Sequence, residues 1–368
     1  MSAHAAKLLS QAHPISKLPS TLVSVWLLAN MAATSDQGFA VPVLPLSSGK
    51  PMPRVGLGTA SFPHCEDGDQ PHVRDAVLRG IDAGYRHFDT AAVYGTERAI
   101  GDAAAEAVRA GTLASRDELY ITSKLWIADA HPGRVLPALR KTLRNLQMEY
   151  VDLYLVHFPV SMKPQEGGAG AILVKEDLVA MDMKGVWEEM EECHRQGLAK
   201  AIGVSNFACK KLEYLLSFAQ IIPAVNQQVE VHLYCRQNKL RAFCREKGIQ
   251  LCAYSPLGGK GAPWANNSVM ESPIIKQIAQ DIGKTVAQVC IRWVYEQGDC
   301  VIPKSFNDKR MRENLDIFDW ELTDDARHKI SSLPEFRGTY DFFVHDSGPY
   351  KTAEEFWDDE IAAGHPAN

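Results

Sequence analysis

What the chain lacks narrows its class before any motif is considered. It has no excess of basic residues: 39 Lys and Arg stand against 45 Asp and Glu, a formal net charge of −6. That balance excludes the electrostatic footprint of a nucleic-acid or acidic-lipid binder. The apolar stretch from Leu22 to Ala33 is interrupted by Ser24 and Asn30 and is too short to cross a bilayer, so no membrane partner is expected. Eight cysteines, at 65, 193, 209, 235, 244, 252, 290 and 300, form no C-x-x-C pair. They read as reduced core thiols of a cytoplasmic chain rather than disulfides or zinc ligands. H-E-x-x-H, P-loop and G-x-S-x-G motifs are absent as well, which leaves metal-dependent hydrolysis and nucleoside triphosphate chemistry without support. No metal is expected.

What is present is 368 residues, 46% of them hydrophobic and 23% charged, enough to bury a core without staples. Residues 1 to 35 stand apart, with no Asp or Glu and two Lys. Three readings of this segment stay open: a targeting peptide, a disordered extension, or an upstream start with Met31 as the usual beginning. The domain reading sets 1–40 aside and takes 41–368 as a single domain that includes a C-terminal tail, 335–368.

From about residue 41, short β-branched or aromatic runs alternate with amphipathic helical segments, the pattern of repeated βα units. A hairpin of Val43 to Leu46 and Ser48 to Lys50 leads into eight strand-like runs: 54–59, 85–89, 119–124, 151–157, 201–205, 224–227, 250–254 and 301–304. Helical periodicity marks 71–83, 97–110, 132–146, 184–197, 209–219, 238–247, 285–297 and 309–316. Gly84, Gly197, Gly248 and Gly298 follow four of these and should adopt left-handed C-caps. Eight strand and helix pairs fit a closed (β/α)₈ TIM barrel, with the N-terminal hairpin at one end and the tail over the active site. Asp89, Lys124, His157, Ser205, Tyr254 and Lys304 all fall at or just past a strand's C-terminal end, where such barrels build their sites.

Two motifs mislead. Gly56-Leu57-Gly58-Thr59-Ala60-Ser61 has two of the three glycines of a dinucleotide loop but leads into Phe62-Pro63 without a helical pattern. Tyr120-Ile121-Thr122-Ser123-Lys124 has the Y-x-x-x-K spacing that pairs tyrosine and lysine across one helical turn. The run alternates and is β-branched, so a strand is expected, with Tyr120 in the core and Lys124 at the strand end.

The chemistry lies in Asp89, Tyr94, Lys124 and His157. A phenol with an ordinary pKa of about 10 is a poor acid at neutral pH, and a neighbouring ammonium lowers that pKa by stabilising the phenolate. Asp89 would hold Lys124 charged and oriented, and His157 could hold a carbonyl oxygen toward the tyrosine hydroxyl. The set suits carbonyl reduction, where hydride reaches carbon and a proton must reach oxygen.

At these residues the sequence resembles the aldo-keto reductases. The resemblance rests on Gly84-Tyr85-Arg86-His87-Phe88-Asp89-Thr90-Ala91 through Tyr94-Gly95, on Met148 through His157, and on Ile302-Pro303-Lys304-Ser305 with Arg310, Glu313 and Asn314. It covers about residues 41 to 335. It implies an NADPH/NADP⁺-dependent reductase with Tyr94 as general acid and base, Lys124 and Asp89 tuning it, and His157 orienting the carbonyl. It further implies cofactor contacts from Thr59, Ser205 and Asn206, with Tyr254 stacked on the nicotinamide and Ser255 and Leu257 along the pyrophosphate. Lys304, Ser305 and Arg310 would take the 2′-phosphate, and Glu313 and Asn314 the adenine. The two cations make independent sense there, because a 2′-phosphate needs charge-assisted bonds.

One departure concerns the sixth strand, where Val225-Asn226-Gln227-Gln228-Val229-Glu230 is one residue longer than the family pattern. An insertion inverts the facing of every later residue in the strand unless a bulge absorbs it, so Gln227 or Gln228 meets the nicotinamide; the reading adopted is Gln227. Trp126, Phe158 and Trp264 are candidate pocket walls. Loop and tail residues look most like a plant branch whose members reduce a 3″-keto acid and other keto metabolites. Val231-His232-Leu233-Tyr234 departs from that branch and leaves open a paralogue acting on another carbonyl, such as a reactive aldehyde. The rival readings are a non-catalytic NADPH-binding regulatory subunit, against which the intact Asp89, Tyr94, Lys124 and His157 argue, and a barrel glycosidase, which would need a second strand-end carboxylate beside Asp89. The expected partner is a small-molecule carbonyl compound, and the expected state a monomer.

Overall fold

In the computed structural model, the residues described are 40–60, 70–164, 173–228, 230–259, 268–337 and 342–358. The N-terminal extension to residue 39 therefore lies outside them, as does Trp264. Two short strands, β1 (Val43–Leu44) and β2 (Met52–Pro53), pair antiparallel and form the hairpin. Its return arm is Met52–Pro53 rather than the expected Ser48 to Lys50. Gly49, in the left-handed region at φ 76°, turns the chain before it.

Eight strands form one parallel sheet: β3 (Leu57–Gly58), β4 (His87–Asp89), β5 (Tyr120–Leu125), β6 (Val151–Val156), then β9 (Ala199–Ser205), β10 (Val225–Gln228), β11 (Gln250–Tyr254) and β12 (Cys300–Ile302). Each pairs with the next in that order. The ends meet through Gly56 N–H to Val301 O at 3.0 Å, Val301 N–H to Arg54 O at 2.9 Å and Gly58 N–H to Pro303 O at 3.0 Å. This closes the barrel. Between β6 and β9 the chain makes a small antiparallel hairpin of β7 (Ser161–Met162) and β8 (Leu178–Val179).

The helices follow their sequence signals. Helix α1 (Pro71–Ala83) starts on a proline whose fixed φ suits the first turn, and ends where Gly84, at φ 104°, donates its N–H to Gly80 O and Ile81 O. Its buried face, Val73, Ala76, Val77, Gly80 and Ile81, has the three- and four-residue spacing of an amphipathic helix. Helices α2 (Glu97–Arg109), α3 (Val135–Leu146), α4 (Met183–Arg195), α5 (Cys209–Leu216) and α6 (Asn238–Lys247) continue the outer ring. After them come α7 (Ser268–Glu271), α8 (Pro273–Ile282), α9 (Val286–Glu296), α10 (Asp308–Leu315), α11 (Asp324–Ser331) and α12 (Ala353–Trp357). Helices α7, α8, α11 and α12 fall outside the eight expected segments.

The floor of the lumen is apolar. Met52, Tyr120, Leu153, Val225, Cys252 and Cys300 pack in one buried cluster, so the barrel is a filled core and not a pore. Each fully buried large aliphatic there contributes about 1.5–3 kcal/mol relative to exposure. Tyr120 thus sits at the bottom of β5 and Lys124 near its top, as a strand reading of Y-x-x-x-K requires. The seven described cysteines are buried and free. Among the described residues, no helix is long and apolar enough to cross a membrane, and no group of His, Cys, Asp and Glu is arranged to hold a metal.

Candidate active site

The upper end of the lumen gathers the polar strand ends. Asp89 is the last residue of β4, Lys124 lies one residue before the end of β5, and His157 comes directly after β6. Tyr94 closes a short 3₁₀ turn, Ala92–Tyr94, that Gly95 ends at φ 66°. The Lys124 ammonium donates to both Asp89 carboxylate oxygens, at 2.8 and 2.9 Å, and to Thr90 O at 2.8 Å. It also lies 4.9 Å from the centroid of the Tyr94 ring. The Tyr94 hydroxyl is 3.4 Å from His157 Nε2. All four side chains of the expected set are therefore together.

Their electrostatics differ from the expectation at one point. Burial raises the Tyr94 pKa and is the largest influence; the Lys124 charge and hydrogen bond pull it down, but the net direction is upward. The ammonium does what was anticipated and is outweighed by desolvation. Burial acting alone would lower the Lys124 pKa, yet Asp89 and Tyr94 together reverse this, and the lysine stays charged.

A second layer fixes the first. Asn206 donates through Nδ2 to His157 O at 2.7 Å and to Ser205 Oγ at 3.0 Å, and accepts from the Tyr254 hydroxyl at 3.3 Å. Ser205 Oγ donates to Gln227 O at 2.9 Å. Thr59 donates its hydroxyl to Asp89 O at 2.9 Å and shares a bond with Thr96, so its side chain is spent on the protein. Asn206 and Ser255 stand at φ 66° and 52°, in the left-handed region that non-glycine residues seldom occupy. Two such positions just past β9 and β11 are the kind of strain that collects at functional sites.

The sixth barrel strand carries Gln227 and Gln228 in regular register. β10 pairs without a bulge, Gln227 opposite Ser205 and Cys252 and Gln228 opposite Ala253. Gln227 is buried and shares its register with Val225 of the lumen floor. Val229 lies outside the described residues.

Around the start of α10, Lys304 and Arg310 are exposed and Ser305 is buried between them, with Arg310 Nε 3.4 Å from Ser305 Oγ. Lys304 lies over the Phe306 ring at 4.5 Å, and partial burial lowers its pKa. Neither cation has an acid partner among the described residues. Further along α10, Glu313 is half-buried against Lys309 at 3.7 Å, and Asn314 is buried close to Tyr85, whose hydroxyl donates to Met311 O at 3.1 Å. Leu257 packs at the edge of the main core.

Trp126 and Phe158 flank His157: Phe158 stacks on its ring at 4.7 Å and Trp126 meets it edge-on at 5.5 Å. The tail completes this wall, with Phe343 on Phe158 at 4.2 Å and Phe356 on Phe343 at 5.5 Å. Helix α12 is clamped by Asp358, which accepts from Lys211 Nζ at 2.6 Å and from the Lys210 N–H at 3.0 Å at the start of α5. Sequence reasoning placed the tail over the site but missed Phe343, Phe356, Trp357 and this clamp. It also missed a buried pair, Glu230 and His232 Nε2 at 2.8 Å, and the buried Arg337 beside Trp357.

Comparison with known proteins places this geometry. The model of the Aldo/keto reductase family matches residues 54–335. The chain is 62% identical over 312 residues to deoxymugineic acid synthase 1 of Oryza sativa subsp. japonica, covering 84% of this chain and 96% of that protein. It is 54% identical over 316 residues to 7-acetyl-epi-neemfruitin B aldo-keto reductase of Melia azedarach, covering 86% and 96%. Among solved structures it is similar to an aldo-keto reductase of Bombyx mori in complex with NADP, at 35% identity and a TM-score of 0.68 over 80% of this chain and 92% of that one.

Proposed function

The chain belongs to the aldo/keto reductase family, and from that premise we propose that it reduces a keto acid at a carbonyl held between Tyr94 and His157. It is an NADPH-dependent oxidoreductase acting on carbonyl groups of small molecules. The observation that carries the proposed site is the Asp89–Lys124 pair at 2.8 Å, which sets an ammonium beside a tyrosine whose hydroxyl is 3.4 Å from an imidazole nitrogen.

The residues present suit the cofactor. Lys304 and Arg310, without acid partners among the described residues, flank Ser305 and offer charge-assisted donors to a 2′-phosphate. Left-handed backbone at Asn206 and Ser255 turns the chain at the strand mouths beside Tyr254. Gln227, on the lumen register, is the glutamine assigned to the nicotinamide, and the remaining contacts fall to Leu257, Glu313 and Asn314; Thr59, its hydroxyl bound to Asp89 O and Thr96, supports the site from behind instead. What NADPH supplies when bound is hydride to the carbonyl carbon.

The proton is the protein's task. Tyr94 and His157 Nε2 are close enough to share one carbonyl oxygen, so His157 orients it while Tyr94 hands over its proton. Lys124 then faces the developing phenolate, and Asp89 holds the ammonium in place. Thr59 and Asn206 hold Asp89 and His157 by their carbonyls and so fix the strands that carry them.

The choice of a keto acid, the 3″-keto acid of phytosiderophore synthesis in the first instance, rests on the 62% likeness to deoxymugineic acid synthases. We also propose a cytoplasmic setting, on the strength of the free thiols among the described residues. NADPH consumption against a carbonyl panel tests the reading. Turnover of the 3″-keto acid above other carbonyls is expected. Preference for a reactive aldehyde would replace the keto acid by the paralogue reading, and NADPH binding without any turnover would sink the assigned catalytic set.

A further inference from the structure

Four lysine or arginine side chains are buried among the described residues: Lys124, Lys211, Arg241 and Arg337. Three have an acid within hydrogen-bonding distance, Asp89 at 2.8 Å, Asp358 at 2.6 Å and Asp299 at 2.7 Å. Arg337 has none. It is 1% exposed, and none of its three guanidinium nitrogens finds a hydrogen-bond partner.

The acids around it are committed elsewhere. Glu230 faces His232 Nε2 at 2.8 Å, Glu335 pairs with Arg236 at 3.4 Å, and Asp358 with Lys211. The Cys235 thiol lies near enough to feel the arginine's charge, but a thiol is a weak acceptor. Its other close contact among the described residues is aromatic: the guanidinium carbon is 4.2 Å from the centroid of the Trp357 ring. A cation–π contact returns less than the cost of taking a guanidinium out of water, so the arrangement is short of an anion.

The location says what kind. Trp357 belongs to the buried aromatic cluster that contains Trp126 and Phe158, the walls beside His157. Arg337 thus sets a cation against the aromatic cluster from which Trp126 and Phe158 face His157. We propose that Arg337 is the recognition group for a carboxylate carried by the substrate, at a subsite separate from the reacting carbonyl. Its planar fork of donors matches a carboxylate bidentately, and meeting it away from water makes the contact strong and selective. This rests on the keto-acid reading and gives that reading a residue.

The test uses the full chain with NADPH and a series of ω-oxo acids of increasing length, each beside its methyl ester, which has the same reacting aldehyde and no charge. Wild type, Arg337→Met and Arg337→Lys are compared. For the best acid of the series, Arg337→Met should lower kcat/KM by about tenfold to a hundredfold, chiefly through KM, the range expected for one charge-assisted bond. The matching ester should change by about twofold or less, NADPH affinity should hold, and Arg337→Lys, keeping charge but losing the fork, should recover part of the loss. Parallel losses for acid and ester would mean that Arg337 only holds the tail and would overturn the assignment. An acid preference untouched by Arg337→Met would overturn it as well, while leaving the keto-acid reading intact. Preference for esters throughout the series by the wild type would overturn that reading and the subsite together.

Discussion

The Lys124 ammonium is held by both oxygens of Asp89, at 2.8 and 2.9 Å, with neither side chain more than 6% exposed. A buried pair of this kind is costly to break on one side only. Lys124→Met, which strands the Asp89 carboxylate, should cost about 3–5 kcal/mol of stability, and Asp89→Asn a similar amount. The double variant should regain most of that stability, because no lone charge remains, yet stay inactive. Urea denaturation of the four proteins, with NADPH turnover alongside, separates the two roles; a double variant no more stable than Lys124→Met would remove the ion-pair account.

Tyr94 leads to the second expectation. With burial outweighing Lys124, its hydroxyl keeps its proton to a higher pH than a free phenol. As the acid of the reduction it is then in its working form throughout neutral pH. The rate should show no loss due to this group below about pH 10, the ordinary tyrosine value. Tyr94→Phe should abolish reduction while NADPH still binds, since the proton donor goes and the cofactor contacts stay. A pH–rate profile of kcat and a fluorescence titration check both halves. A descending limb near neutrality in the wild type that persisted in His157→Gln would show that the phenol titrates far lower.

Lys304 and Arg310 form the third. Each stands on an exposed turn at the start of α10 without an acid partner among the described residues, and only NADPH offers them a 2′-phosphate. Lys304→Ala or Arg310→Ala should weaken NADPH by about tenfold, within the range for a charge-assisted bond, and leave NADH nearly unchanged. Equal losses for the two cofactors would place the phosphate elsewhere.

Much of this was legible because parallel barrel strands are buried on both faces and read as apolar runs, each ended by a polar residue. Asp89, Lys124, His157 and Ser205 could be placed at strand ends for that reason. Helix α1 agrees with its expected bounds because Pro71 and Gly84 punctuate it chemically. Helix α12 was invisible for the opposite reason: five residues are below any periodic window, and it exists through Asp358 on Lys211 and Phe356 on Phe343, contacts about 150 residues apart or set by the fold. The hairpin's return arm moved from Ser48–Lys50 to Met52–Pro53 because Met52 fills the lumen floor, which local sequence does not reveal. The direction of the Tyr94 shift was missed because pairing with Lys124 could be inferred from residue types, whereas the degree of burial could not.

The last expectation concerns acid stability and a residue below the site. His87 is fully buried; its Nδ1 faces Pro53 O at 3.3 Å and its Nε2 faces Thr122 Oγ1 at 2.9 Å. Since a carbonyl only accepts, the proton is on Nδ1, and Thr122 donates to Nε2. Burial lowers the pKa to about 4, outweighing the upward pull of Asp89. The unfolded chain binds a proton at about pH 6.5 and the folded chain only near 4, so the unfolded state gains protons first on acidification. The stability contributed by a neutral His87 is therefore present above pH 6.5 and lost as pH falls toward 4. Between pH 7 and pH 5 the loss should be about 2 kcal/mol from this residue. Urea midpoints at the two pH values, in wild type and His87→Asn, isolate it: the asparagine variant is less stable at pH 7 but should lack this part of the acid dependence. An equal drop in both proteins would mean that His87 already carries its proton when folded.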